Sequence, residues 1–189
     1  MAVLTGTREG DQLTVTQSYP KAAFVWALTR ISLGWIFLWA FLDKTFALGF
    51  ATARAEDGTV DLLGPAAWVN GGSPTEGFLT FGTQGPFAGF FQSFAGQAWA
   101  DWLFMIGLLG IGVALILGIG MRIAAISGAI LMVLMWAASL LPENNPFMDD
   151  HLVYALVLIG LMFSDAGNTW GLGRRWTSNS LVQRYPILR

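Results

Sequence analysis

Four apolar runs constrain the fold of this chain more than any other feature of its sequence. They cover residues 24–42, 102–119, 123–141 and 152–163. A helix rises about 1.5 Å per residue and a bilayer's hydrocarbon layer is about 30 Å thick, so each of the first three runs nearly crosses it. The fourth run is shorter and must recruit polar neighbours, which extends the expected span to 147–165. We therefore predict an all-α integral membrane protein, a four-helix bundle.

The composition also indicates a lipid partner. Of 189 residues, 54% are hydrophobic and 12% are charged, about half the charged fraction of an average soluble domain. The net charge is -2 and the arginines are scattered, which excludes the basic patch that nucleic acid requires. The chain has no cysteine, so it has no disulfide, thiolate metal site or dithiol relay of its own.

The basic residues predict the orientation, because Lys and Arg beside membrane spans stay in the cytoplasm. With the N-terminus inside, only Lys44 and Arg54 fall on the outer side. We predict cytoplasmic tails at 1–23 and 166–189, with a transmembrane domain at 24–165 between them. The bases assigned to the cytoplasmic side are Arg8, Lys21, Arg122, Arg174, Arg175, Arg184 and Arg189.

The outer loop, residues 43–101, is too apolar for a free loop. Pro86 suits the first position of a short helix, and phenylalanines then recur at helical spacing. We predict a short helix that lies in the outer membrane interface between the first and second spans. Its apolar face consists of Phe87, Phe90, Phe91 and Phe94.

Small residues recur at four-residue spacing in the second span, at Gly110, Ala114 and Gly118, and in the third at Ala124 and Gly128. Such residues let membrane helices approach closely, within one chain or between the two copies of a homodimer. The glycines lack the spacing and the preceding strand of a dinucleotide loop, so no nucleotide site is predicted.

Arg30 lies about 9 Å inside the first span by helical rise. A charge at that depth is costly to bury. Two interpretations stay open: the side chain reaches the inner headgroups or a neighbouring helix, or it lines a ligand site.

Polar residues meet at the outer boundary, where Asp43 and Lys44 close the first span and Asp149, Asp150 and His151 open the fourth. His151 is the only histidine, and its side chain suits proton transfer near neutral pH. Lys44 is suited to pair with an acid or to hold an anion. The alternative is a plain helix start, where acids favour the positive end of the helix dipole. A second His or a thiolate is lacking, so no metal site is predicted.

Three aromatic side chains fall in the outer halves of the spans, at Trp39, Trp136 and Tyr154. Each is suited to stack on a flat quinone headgroup, and anchoring at the interface is the alternative. Together with Arg30 they are the candidate cofactor-binding residues, while Lys44, Asp150 and His151 are the candidate catalytic residues.

Several of these segments resemble one known family. Residues 30–37 with the closing Asp43 and Lys44, the turn 118–122, and residues 151–156 are similar to the DoxX/DoxD family of membrane proteins. The segment 68–74 and the Phe-rich stretch after it resemble in particular the actinobacterial type, the DoxD-like subunits of thiosulfate:quinone oxidoreductase.

The resemblance implies a multi-pass protein of the bacterial plasma membrane that passes electrons from thiosulfate to quinone, together with a second subunit. Lys44 would then attract the anion, and His151, oriented by Asp150, would handle quinol protons. The alternative is a non-catalytic accessory or scaffold subunit of a respiratory or oxidant-defence complex. A transporter has less support, since the sequence shows no pair of broken helices.

Overall fold

The structure is a computed structural model that describes residues 20–142 and 145–189. Residues 1–19 of the predicted N-terminal tail lie outside the described residues. Over the described ranges the chain is mostly helical and forms no strand, only isolated bridges. The helices are α1 (Pro20–Phe46), α2 (Ala88–Gln92), α3 (Ala98–Leu117), α4 (Met121–Ala138), α5 (Asp150–Phe163), α6 (Gly173–Thr177) and α7 (Ser180–Arg184).

Three of these helices, α1, α3 and α4, are long and apolar enough to cross a membrane. They coincide with the first three predicted spans, which agrees with the prediction of an all-α membrane protein. The helix α5 is apolar but has 14 residues, which rise only about 21 Å.

The fourth apolar run forms a shorter helix than the predicted span 147–165. The Asp149 side chain accepts a hydrogen bond from the backbone N–H of Leu152 at 3.2 Å and caps α5, which begins at the next residue. Such a cap satisfies a backbone donor that has no partner within the helix. Just beyond the other end of α5, Asp165 adopts a left-handed conformation with φ 49°. These two local features set the length of α5.

The long helices pack in sequence, α1 against α3, α3 against α4 and α4 against α5. Their inward faces form one apolar core. The outward faces carry large apolar side chains that remain exposed, which is unfavourable in water and favourable in lipid. Core members include Leu33, Phe37, Met105, Leu108, Leu115, Met132, Leu158 and Leu161, and outward ones include Leu103, Ile106, Ile130, Leu134 and Leu156.

Close approach of α1 and α3 depends on two glycines. A Cβ atom on Gly112 would lie 2.7 Å from the backbone nitrogen of Leu38, and one on Gly34 would lie 2.9 Å from the Leu115 Cβ. The predicted packing glycine Gly110 has nothing within 4 Å of such an atom. Gly110 therefore makes no close approach within the chain, because the face of α3 that meets α1 carries Gly112 instead.

The α4–α5 contact uses a predicted small residue. A Cβ atom on Gly128 would lie 2.9 Å from a methyl group of Leu158. Gly118, which was also predicted, has a φ of 71°, and a Cβ atom on it would lie 2.9 Å from the Cα atom of Gly167. These two positions confirm that small residues let the chain segments approach here.

The two ends of the helix assembly differ. At the proximal end, defined by Phe24, Gly118 and residues 164–189, the ring of Phe24 lies 5.2 Å from that of Trp170. At the distal end, defined by Lys44, residues 47–97 and the described residues between α4 and α5, Gln84 forms a bridge with Ser139. The first described residues and the C-terminal segment therefore share one end.

Both predicted irregular regions have structure. The short helix expected at Pro86 is present as a 3-10 turn over Gly85–Phe87 followed by α2. The predicted tail 166–189 folds back as α6, α7 and a final turn, with the side chain of Val182 fully buried. It is therefore a packed part of the protein rather than a loose tail.

We predict that Gly112→Ala lowers the thermal unfolding temperature while Gly110→Ala does not. Both changes gain the same helix propensity, but only the first places a methyl group against the backbone of α1. Overpacking costs about 1–3 kcal/mol, which corresponds to roughly 2–12 °C in a chain of this size. Unfolding followed by tryptophan fluorescence in detergent checks this, and equal melting of the two variants would contradict the proposed contact.

Candidate functional site

A cavity of about 620 Å³ opens at the distal end between α3, α4 and the loop that precedes α3. We call it the distal cavity. Its walls are almost entirely apolar, and Lys44 supplies the only charged side chain among the described residues that line it. The apolar lining includes Phe78, Phe90, Phe91, Phe94, Leu103, Phe104, Leu131 and Leu134.

The neighbouring acid, Asp43, does not form an ion pair with Lys44. Asp43 is 1% exposed, and its two carboxylate oxygens accept the backbone N–H groups of Phe50 at 3.0 Å and Ala51 at 2.9 Å. Among the described residues, no carboxylate lies within 4.0 Å of the Lys44 ammonium. Asp43 thus closes the turn after α1, and the ammonium group beside the cavity keeps its hydrogen-bonding capacity for a ligand.

A second buried acid, Asp101, fixes another wall of the distal cavity. One of its oxygens accepts hydrogen bonds from the Ser73 hydroxyl at 2.8 Å and from the Thr75 hydroxyl at 2.6 Å. Thr75 and Pro74 line the cavity, so the carboxylate on α3 holds this part of the loop in place. Asp101 was not among the predicted site residues, although an acid in the first turn of an apolar helix is a visible signal in the sequence.

His151 pairs with a different acid from the one predicted. Its Nδ1 lies 2.7 Å from Asp149 and 3.5 Å from Asp150. Asp149 rather than Asp150 therefore orients the ring. Asp149, Asp150 and His151 bring potential metal-ligand atoms within 4.8 Å of one another. The shortest of these distances, between His151 Nδ1 and Asp149, is explained by the hydrogen bond between the two side chains.

The structure divides the predicted catalytic residues between two places. Lys44 lies at the distal cavity, whereas His151 and Asp150 are outside its lining, at the start of α5. The spacing of residues within each run indicated that these helix ends meet at one boundary. It could not indicate which side chains share a cavity, because that depends on how each helix is rotated.

The predicted aromatic residues also lie outside the lining of the distal cavity. Trp136 donates its Nε1–H to the Phe147 carbonyl at 2.6 Å, and Trp39 packs edge-on against Phe50 with ring centroids 5.0 Å apart. Tyr154 packs on the apolar core. The aromatic rings at the cavity are instead contributed by the loop before α3, by α2 and by Trp99 and Phe104 of α3.

Arg30 is fully buried at the proximal end, where its guanidinium meets backbone carbonyl groups only. Nη1 donates to Leu115 and, at 2.9 Å, to Ile116, both in the last turn of α3. Nη2 donates to Thr169 at 3.2 Å and to Trp170 at 3.0 Å. A cation at a helix C-terminus complements the helix dipole, so these contacts stabilise the buried charge, while the Nε–H of Arg30 is buried without a hydrogen-bond partner among the described residues.

Comparison with known proteins does not add a relative. No family model, no curated protein and no solved structure matches the chain. The functional assignment therefore depends on the geometry of the two ends.

We predict that Arg30→Gln strongly destabilises the protein, because four carbonyl contacts that join α1, α3 and the segment after α5 are lost together. Hydrogen bonds from a charged group are worth about 1.5–3 kcal/mol each. The expected result is loss of the folded peak in detergent gel filtration. The matched control is Lys21→Gln, which changes an exposed base on the same helix and should behave like the wild type. Equal behaviour of both variants would argue against a stabilising role for the carbonyl contacts of Arg30.

Proposed function

We propose that this chain is a four-span membrane subunit of a quinone-linked oxidoreductase, and that the distal cavity holds the quinone. The observation that carries the proposal is an apolar cavity of about 620 Å³ whose lining includes one basic residue, Lys44. Ligand sites of about 300–1,000 Å³ with mostly apolar walls and few polar groups are typical for small molecules. We also propose that α5 is the fourth membrane span and that both termini lie on the cytoplasmic side.

The residues present fit a quinone. The carbonyl oxygens of its headgroup accept hydrogen bonds, which Lys44 can donate, and the phenylalanine rings suit its ring and apolar tail. Leu103, Ile130 and Leu134 line the cavity and are 68%, 56% and 47% exposed on the outward faces of α3 and α4. A ligand dissolved in the bilayer could therefore enter from the side.

When bound, a quinone supplies the capacity to carry two electrons and two protons. The chain's own groups would orient it and exclude water, through Lys44 and the phenylalanines. If the Nδ1–H of His151 donates to Asp149, its Nε2 carries a free lone pair and can accept a proton. The His151 side chain is 22% exposed at the same end, which suits exchange of protons with water.

The negative charge around the distal end affects which electron donor this end of the chain could bind. Acidic side chains there include Glu56, Asp57, Asp61, Glu76 and Asp150. These side chains are exposed and ionised at neutral pH, and hydrogen bonds from the Thr59 side chain and backbone lower the pKa of Asp57 further. Such a field repels a dianion such as thiosulfate. We therefore assign thiosulfate oxidation to a second subunit and quinone binding to this chain.

The alternative proposal is a non-catalytic accessory or scaffold subunit of a respiratory or oxidant-defence membrane complex, with homodimer formation as one form of assembly. It is favoured by the separation of His151 and Asp150 from the cavity. It is also favoured by the exposed apolar faces of the long helices, which could pack against a partner's spans as readily as against lipid.

We predict that a short-chain ubiquinone analogue quenches the fluorescence of the purified protein, since Trp99 lines the cavity. Lys44→Met should raise the dissociation constant by about tenfold or more, the value of one hydrogen bond to a charged group. Arg54→Met removes a base from the same end but not from the lining, so its affinity should be unchanged. If Lys44→Met bound the analogue saturably with an unchanged dissociation constant, the quinone site would have to lie elsewhere in the protein.

The two functional proposals predict different outcomes for turnover. If this chain is the quinone-reactive subunit, membranes containing it should reduce the analogue with thiosulfate as donor, and both Lys44→Ala and His151→Ala should reduce the rate. If it is an accessory subunit, it should migrate with a larger redox complex on native gels, and that complex should keep its rate with both variants. Turnover by the isolated chain would rule out the accessory role.

A further inference from the structure

A second cavity, of about 390 Å³, lies at the proximal end. We call it the proximal cavity. It is enclosed by the turn between α3 and α4, the end of α5 and the C-terminal segment. Arg122 and Arg189 contribute positive charge to its lining, Asp165 contributes one negative charge, and the α-carboxylate of Arg189 adds a second where the chain ends at that residue. Because α3 ends and α4 begins beside it, the cavity lies where two membrane-spanning helices reach the boundary of the apolar layer.

The C-terminal segment is fastened over this cavity. The backbone N–H of Arg122 donates to the Arg189 carbonyl at 2.8 Å, and Arg122 Nη1 donates to the Pro186 carbonyl at 3.0 Å. The indole N–H of Trp176 donates to the carbonyl of Leu188. A guanidinium has five N–H donors, and within the described ranges Arg122 uses one of them in a side-chain hydrogen bond. The remaining donors are free to meet a ligand.

The surface around the cavity is both basic and apolar. Residues 166–189 contain Arg174, Arg175, Arg184 and Arg189 and no acid. The same segment exposes large apolar side chains, at Trp170, Leu172, Leu181, Tyr185 and Ile187. A segment with both properties typically lies in the membrane interface, with apolar groups among the acyl chains and bases beside anionic headgroups.

We propose that the proximal cavity binds the phosphate headgroup of an anionic phospholipid, held by Arg122 and Arg189, with the C-terminal segment lying on the same leaflet. A basic pocket between membrane helices is a suitable site for such headgroups. The exposed apolar side chains favour a lipid over free phosphate, because a free anion would leave them in water. This inference does not depend on the quinone proposal, since the two cavities lie at opposite ends.

The test is native mass spectrometry of the delipidated full chain, titrated separately with phosphatidylglycerol, phosphatidylcholine and inorganic phosphate. Phosphatidylglycerol should bind with at least about tenfold higher affinity than phosphatidylcholine, given that each base near a headgroup contributes a severalfold effect. The double variant Arg122→Gln with Arg189→Gln should lose this preference. Asp165→Asn, which removes the acid from the lining, should strengthen it.

Two controls separate binding from folding. Arg54→Gln removes a base from the distal end and should keep the wild-type preference. The unfolding temperature of each variant, measured without lipid, identifies any that fail to fold; Arg189→Gln alone, at an exposed position, then replaces the double variant and should show a partial loss. Equal affinity for the two lipids, or an unchanged preference in folded variants, would overturn the proposal, and binding of phosphate at similar affinity would reassign the cavity to a free anion.

Discussion

The arrangement of this protein depends on how its few buried charges obtain hydrogen bonds in an apolar surrounding. A charge in the hydrocarbon layer is costly unless its donors or acceptors are satisfied inside the protein. Arg30, Asp43 and Asp101 are buried, and among the described residues each meets backbone groups or hydroxyls rather than an opposite charge, although the Nε–H of Arg30 has no partner there. Every one of them joins a long helix to a connecting segment, so the same interactions that make burial tolerable also determine where the loops lie.

Lys44 differs from these three residues. It occupies the last turn of α1, but its neighbour Asp43 is committed to two backbone N–H groups, and the loop held by Asp101 forms a wall beside it. The result is an ammonium group at the edge of an apolar cavity, where a polar ligand atom could replace the water it would otherwise need. Structural use of the two acids is thus what leaves the lysine available, and this is the physical basis for placing the ligand there.

The sequence was sufficient for the class of fold because apolar runs of 18 or 19 residues have few stable alternatives to membrane helices. The sequence was less informative where the rotation of a helix about its axis decides which residues meet, or where a capping side chain decides where a helix begins. The two-residue offset from Gly110 to Gly112, and the cap by Asp149 that shortens α5, each depend on local geometry that spacing alone does not specify. The candidate site shows the same limit: Lys44 could be predicted from its position at a helix end, whereas the phenylalanine lining and the pairing of His151 with Asp149 required the packed chain.

The unequal distribution of charge has a consequence for the two cavities together. Exposed acids surround the distal end and arginines surround the proximal end, so an anion is repelled from one and attracted to the other. A neutral amphiphile is not subject to this selection and can reach the distal cavity through the outward faces of α3 and α4. In the proposed orientation, an anionic lipid is drawn to the proximal end in the leaflet that also favours basic flanks. The two ligand proposals and the proposed orientation thus rest on one asymmetry of charge along the molecule.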